Sequence, residues 1–271
     1  MAERLLLFIP CYNCEAQIPR VLAQLQALPE GLVHEALVVD NGSRDATAQA
    51  ACAAARLSTV PAKVVRNHEN YNLGGSHKAA FAYAAEYGFS HVVVLHGDDQ
   101  GRISDLVPLL QRGEHRRHDA CLGARFMKGS QPLGYSRFRL IGNHVFNLVF
   151  SLASGAKVLD LGSGLNVFSR AVFTDPALTA CADDLRFNVY LLLRLIHSKR
   201  KLMFFPISWR EEDQVSNVRI VSQALRTLKI AADYAFAGRR FWTLEHRDRP
   251  RSAYTFEVLA HHLPTALGDA A

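Results

Sequence analysis

Four short runs of strand-forming residues recur in the first hundred positions, and each is followed by a polar, turn-forming stretch. They are residues 5–9, 36–39, 63–66 and 91–95. Between the first two, Ile18, Val21, Leu22, Leu25 and Leu28 recur at helical spacing until Pro29 and Gly31 end the pattern. An alanine-rich stretch from Thr47 to Ala55 and a segment from Gly74 to about Tyr87 fill the other two gaps. Strands alternating with helices at this short spacing predict an α/β fold with a mainly parallel, doubly wound sheet. In such a sheet the polar stretches that follow the strands fall on one edge, where ligands bind.

The fourth run is the most informative. Residues 91–95 (His-Val-Val-Val-Leu) read as a strand buried on both faces, and the chain then breaks into His96, Gly97, Asp98, Asp99 and Gln100. Hard divalent cations are held by one or two carboxylates together with substrate phosphates. His96, Asp98 and Gln100 therefore form a candidate site for Mn2+ or Mg2+ and a diphosphate.

With 271 residues and 49% apolar content, the chain can bury a large core and does not read as disordered. A formal charge of +6 favours anionic partners, among them nucleotides, lipid phosphates and membrane faces. No nucleic-acid motif or aromatic stacking platform accompanies that charge, so no nucleic-acid partner is expected. The five cysteines are not paired as metal ligands, and the Cys11/Cys14 spacing carries little redox weight without other support. Residues 5–10 are too short for a signal peptide, and no apolar run is long enough to span a bilayer. The expectation is a cytoplasmic protein that can sit on the inner membrane face.

The glycine pair Gly74-Gly75 is neither a Gly-x-Gly-x-x-Gly fingerprint nor a Walker loop. With Lys78 nearby, a helix opening at these glycines can receive a phosphate on its backbone N–H groups.

Taken together, residues 9–15 (Ile-Pro-Cys-Tyr-Asn-Cys-Glu), 38–47, 72–75 and 95–100 resemble the family-2 glycosyltransferases of the GT-A fold, in the family's order and spacing. The resemblance covers residues 5–110. It implies that Pro10, Tyr12, Glu15 and Asp40 line the pocket for the nucleotide base and ribose, with Asn41 where an Asp is usual and Ser43 in the same turn. Gly75, Lys78, Asp98 and Asp99 complete the donor side. Asp98 takes the second position of the Asp-x-Asp metal motif, His96 replaces the first Asp, and Gln100 is the following glutamine. An imidazole there favours manganese over magnesium.

Further on, residues 121–126, the Arg137/Arg139 pair, and residues 160–164, 167–170 and 205–210 resemble the polyprenol-phosphate branch, whose best-known type is dolichol-phosphate mannose synthase. That resemblance implies an inverting transfer from a UDP- or GDP-linked sugar to a polyprenyl phosphate. Arg125, Arg137 and Arg139 would receive the acceptor phosphate and Asp160 would organise them. Arg210 would stand on a loop that closes over the donor, followed by Glu-Glu-Asp-Gln-Val-Ser-Asn (211–217) where the branch commonly has a shorter Gly-x-Ser-Lys. Asp98 and Arg210 are the candidate catalytic residues for this acceptor. A hydroxyl acceptor would instead need a general base, for which Asp184 and its neighbour Asp183 are the candidates.

The expected division is a catalytic domain over 1–217 and an amphipathic helix with a basic tail over 218–271. Residues 141–152 and 220–236 are amphipathic; each pattern fits a helix lying in a membrane interface and equally one packed on a core. The tail after Phe241 carries no motif.

Overall fold

The four runs become β1 (Leu5–Cys11), β2 (Glu35–Asp40), β3 (Ala62–Asn67) and β4 (His91–Leu95) in a computed structural model that describes residues 3–210 and 220–264. They lie parallel in the order β3-β2-β1-β4. Their connections are α1 (Ile18–Ala23), α2 (Thr47–Ala55) and α3 (Asn72–Glu86). The first helix is shorter than its apolar spacing predicts. After Ala23 the chain tightens into a 3₁₀ turn over Gln24–Ala27, which keeps Leu25 in the core. Gln24 is drawn away to Asp99 Oδ1 (3.1 Å) and to the Ile103 N–H (2.9 Å).

Alternation along the strands divides two apolar layers. Leu6, Phe8, Leu37, Val39, Val92 and Val94 face Ala80, Phe81 and Ala84 of α3. Leu5, Leu7, Ile9, Val38, Val93 and Leu95 face Ile18, Val21 and Leu22 of α1 and Ala51 and Ala55 of α2.

Past β4 the chain forms α4 (Val107–Gln111), α5 (Glu114–Arg117), β5 (Ala120–Ala124), β6 (Gln131–Leu133), α6 (Arg137–Ser154), β7 (Leu165–Ser169) and α7 (Arg170–Phe173). It continues through α8 (Phe187–His197), β8 (Leu202–Pro206), β9 (Ser208–Arg210), α9 (Ile220–Ala237) and β10 (Phe256–His262). Among the described residues the main sheet has eight strands in the order β10-β3-β2-β1-β4-β7-β5-β8. β7 runs antiparallel between β4 and β5, and β8 is parallel to β5. The tail that carries no motif supplies β10, which pairs antiparallel with β3 through a bulge between Val258 and Ala260. β6 and β9 pair with each other, and a Gly101–Trp209 bridge ties β9 to the turn after β4.

Candidate active site

The loops after β1, β2, β3 and β4 converge on one cleft of about 720 Å³. Its floor is the end of β4. Gly97 sits there because nothing larger fits: its N–H donates to the Pro10 carbonyl at 3.0 Å, and a Cβ would lie 2.5 Å from Cys11 Sγ. This close approach of β4 to β1 leaves His96 and Asp98 on the cleft lining.

The His96 ring lies against Gly164, where a Cβ would fall 2.6 Å from His96 Cγ. Its Nε2 is shielded from solvent and has no hydrogen-bond partner. Burial, with Arg125 adding to it, pushes the imidazole pKa down to about 4, so the ring is neutral at pH 7. Burial pushes the Asp98 carboxyl the other way, up to about 6, and it remains mostly ionised at pH 7. A neutral imidazole with an unpartnered nitrogen and a carboxylate on the lining of one cleft are donors of the kind that suit a divalent transition ion.

Gln100 is not part of that lining. Its carbonyl accepts from the Arg210 N–H (2.9 Å) and its own N–H donates to Asp98 Oδ1 (3.2 Å), so it shapes the turn. Among the described residues, the one trio of His, Cys, Asp or Glu side chains with ligand atoms within 4.8 Å of one another is Glu3, His91 and His115. It stands at the start of β4, where Arg116 already holds Glu3. In the cleft, His96 and Asp98 form a two-residue set that leaves the other cation positions to substrate and water.

Pro10, Tyr12, Glu15 and Asn41 line the cleft, and Tyr12 is 42% exposed. Asn41 is fixed in an amide network. Its Nδ2 donates to Asn70 Oδ1 (2.9 Å), and its Oδ1 accepts from Asn67 Nδ2 (3.0 Å) and the Tyr71 N–H (2.8 Å). An Asp at this position could not donate to Asn70. Asp40 and Ser43 brace the wall from behind. Asp40 is fully buried, paired with Arg66 at 2.7 Å and accepting from the Ser43 N–H, while Ser43 Oγ accepts from the Asn13 N–H. Glu15 also accepts from the Ala46 N–H, just ahead of α2.

A family model described as glycosyl transferase family 2 matches residues 7–175. The chain belongs to that family. It is a glycosyltransferase, and its α/β architecture is the one the motifs predict. It is 25% identical over 213 residues to a polyprenol monophosphomannose synthase of Mycolicibacterium smegmatis, covering 78% of this chain and 79% of that one. It is 28% identical over 177 residues to an undecaprenyl-phosphate 4-deoxy-4-formamido-L-arabinose transferase of Pseudomonas fluorescens, covering 65% of this chain. The match spans about half (49%) of that transferase's length. These relatives bear out the resemblance to the polyprenol-phosphate branch. The fold matches glucosyl-3-phosphoglycerate synthase of Mycobacterium tuberculosis, solved with Mn2+, uridine diphosphate and glucosyl-3-phosphoglycerate. That match has a TM-score of 0.60, 18% identity, and coverage of 97% of this chain and 91% of that one.

Several donor-side expectations for the glycosyltransferase are corrected by its structure. The third helix starts at Asn72, ahead of the glycines, and the Gly75 N–H is taken by the Asp183 carbonyl (3.1 Å), so it does not face a phosphate. Lys78 is buried away from the cleft, with Nζ donating to Asp183 Oδ1 (2.7 Å) and the Cys181 carbonyl (2.6 Å). Asp99 points to the other side of the turn, where Arg20 Nε (2.7 Å) and Gln24 hold it.

Arg210 lies 3.7 Å from Asp99 at the same turn, and residues 211–217 after it fall outside the described residues. Asp183 is a buried hub rather than a cleft carboxylate. Asp184 does line the cleft, yet its oxygens accept from Arg186 Nε (2.8 and 2.9 Å) and the Arg186 N–H. Arg125 is also engaged, forking onto Asp160 at 2.8 and 2.9 Å and donating to the Tyr135 hydroxyl. Arg137 and Arg139 are exposed in the first turn of α6.

Asn72 and Asp45, which lie inside the matching motifs without an assigned role, also line the cleft, as do Asn70 and Ser76 near β3 and Gln223 of α9, which no motif contains. The asparagine-rich stretch 67–72 (Asn-His-Glu-Asn-Tyr-Asn) was the available signal, since it follows a strand as the other polar clusters do.

Proposed function

We propose that this glycosyltransferase moves a sugar from a nucleoside-diphosphate sugar, UDP- or GDP-linked, to a polyprenyl phosphate, by one displacement that inverts the anomeric carbon. The observation that carries the reading is that His96, with its unpartnered Nε2, and Asp98 both line a cleft walled by Pro10, Tyr12 and Asn41. A divalent cation, Mn2+ in preference to Mg2+, would be held by these two side chains and supply Lewis-acid neutralisation of the departing diphosphate. Tyr12 offers an exposed ring for the nucleotide base, and the fixed amides of Asn41 and Asn70 offer directional hydrogen bonds.

Two observations support the phosphate acceptor over a hydroxyl. Asp183 is committed to Lys78, Arg251 and Tyr254, and Asp184 to Arg186, so both carboxylates of the candidate base pair are engaged. A phosphate oxygen is already anionic and needs no base. Arg137 and Arg139 add charge at the positive end of α6, where an anion is favoured. The names of the two sequence relatives support the same acceptor class.

The test incubates the purified chain with Mn2+ and a panel of labelled nucleotide sugars, with and without a short polyprenyl phosphate. Label should enter the organic phase only with the lipid, and Asp98→Asn should abolish transfer while leaving the fold intact. Transfer to a water-soluble hydroxyl acceptor, with none to the lipid, would overturn the acceptor assignment.

A further inference from the structure

α6 presents its apolar stripe to solvent. Phe138 (84% exposed), Ile141, Val145, Leu148 and Leu152 (76%) follow one another at spacings of three and four along its outer face. The inner face is apolar too, through Phe146, Val149 and the buried Phe150, and Asn147 turns inward to donate to the Leu159 carbonyl at 2.7 Å. α9 packs beside it with Ile230 and Ala231 buried and Leu225, Leu228 and Phe236 (91%) outward. Helices of a soluble domain normally turn their apolar stripe inward, and an exposed apolar patch of this kind marks an interaction site.

Charge identifies the occupant. Residues 126–159 and 220–244, which contain the two helices, carry eight lysines and arginines, all exposed, among them Arg137, Arg139, Arg226 and Arg240. Their one acidic residue is Asp233, which pairs with Lys229. The local excess of seven positive charges exceeds the +6 of the whole chain, so the remainder of the protein is close to neutral. A second copy seated on this face would bring two such excesses together. An anionic lipid surface meets both the apolar stripe and its basic surround.

We propose that the α6–α9 face docks the protein on an anionic membrane surface, with the aliphatic and phenyl side chains in the acyl boundary and the basic residues among the headgroups. Its use rests on the lipid-acceptor reading. Gln223 of α9 lines the cleft, and Arg137 begins α6, so docking brings the cleft to the headgroup layer where a lipid phosphate lies.

The experiment is flotation of the full chain with vesicles of equal phosphatidylglycerol and phosphatidylcholine, and with phosphatidylcholine alone, at low and high salt, without donor or acceptor. The protein should float with the anionic vesicles, and salt should weaken binding. Leu148→Asp with Leu152→Asp, or Phe236→Asp alone, should lower the partition coefficient at least about tenfold, with nucleotide binding and circular dichroism unchanged. Wild type that stays in solution with anionic vesicles overturns docking, as do aspartate variants that float equally well. A wild-type dimer that these variants convert to monomer also overturns it, in favour of a second copy. Flotation without transfer to lipid overturns the acceptor reading alone, and transfer to detergent-dispersed lipid without flotation overturns docking alone.

Discussion

Lys78 and Asp183 form a buried ion pair at 2.7 Å, joining the first half of α3 to the segment that leads into the cleft through Asp184. The tail closes over the pair. Tyr254 Oη donates to Asp183 Oδ1 at 2.6 Å and Arg251 Nη1 to Oδ2 at 2.9 Å, so three donors from two distant parts of the chain meet on one carboxylate. Burial pulls the Lys78 pKa down while Asp183 pulls it back up, and the pair holds only as a unit.

Lys78→Met should therefore act on stability and not on donor binding. Removing one member of a buried pair costs about 3 kcal/mol, here moderated by Arg251 and Tyr254. Urea unfolding should show that loss, while nucleotide affinity in calorimetry below the transition stays within about twofold of wild type. A large loss of nucleotide affinity with stability preserved would instead return Lys78 to the donor phosphates.

Gly164→Ala tests His96 without touching it. The new Cβ would lie 2.6 Å from His96 Cγ and 2.8 Å from Trp209 Cη2, so the imidazole must move. If His96 is a cation ligand, Mn2+ affinity should fall about tenfold or more, as misplacing a ligand does, and His96→Ala should fall comparably. The overpacking itself should cost about 1–3 kcal/mol, read separately by thermal melting. Unchanged Mn2+ affinity in both variants would remove His96 from the cation site.

What could be read from the sequence was local, and what could not was long-range. The first four strands are short runs built around adjacent apolar residues, and the clusters holding Pro10, Tyr12, Glu15, Asn41, His96 and Asp98 lie within a few residues of their ends, so both could be read from short stretches of chain. Lys78 reads as a phosphate ligand because it follows a glycine pair, but the carboxylate that claims it lies 105 residues onward. The outer face of α6 is ambiguous in sequence, because apolar residues spread over more than half of its circumference; burial of Phe150 and the bond from Asn147 to Leu159 settle which side turns inward. β10 is an exposed edge strand of mixed composition, so its alternation is faint.

That edge strand gives a third prediction. Ending the chain after Thr243 removes β10, Arg251 and Tyr254 together, uncovers the edge of β3, and leaves Asp183 with Lys78 as its remaining side-chain partner from the trio. An uncovered strand edge, with its unpaired N–H and C=O groups, invites association between molecules. The shortened protein should aggregate on size-exclusion chromatography or melt at least about 10 °C below the full chain, the scale of a loss of several kcal/mol. A monomeric product with an unchanged melting temperature would show that the tail is dispensable to the sheet.

His77 sets a pH dependence of stability. Its ring is packed among Phe8, Phe81 and Phe187, is 1% exposed, and has Nδ1 at 2.9 Å from the Leu73 carbonyl, so the neutral form with the proton on Nδ1 satisfies the site. Burial pushes its pKa from 6.5 down to about 3. Between those values the unfolded chain binds a proton that the folded chain refuses, so stability falls as pH drops through this window and this contribution is flat above it. One such proton gives a slope of at most about 1.4 kcal/mol per pH unit. His77→Phe keeps an aromatic ring in an aromatic cluster and removes the titrating group. Urea unfolding of both proteins from pH 7.5 to 4.5 should show the variant losing less stability on acidification, with the two curves converging or crossing below pH 6. Parallel curves over that range would mean that His77 is protonated in the folded protein as readily as in the unfolded one.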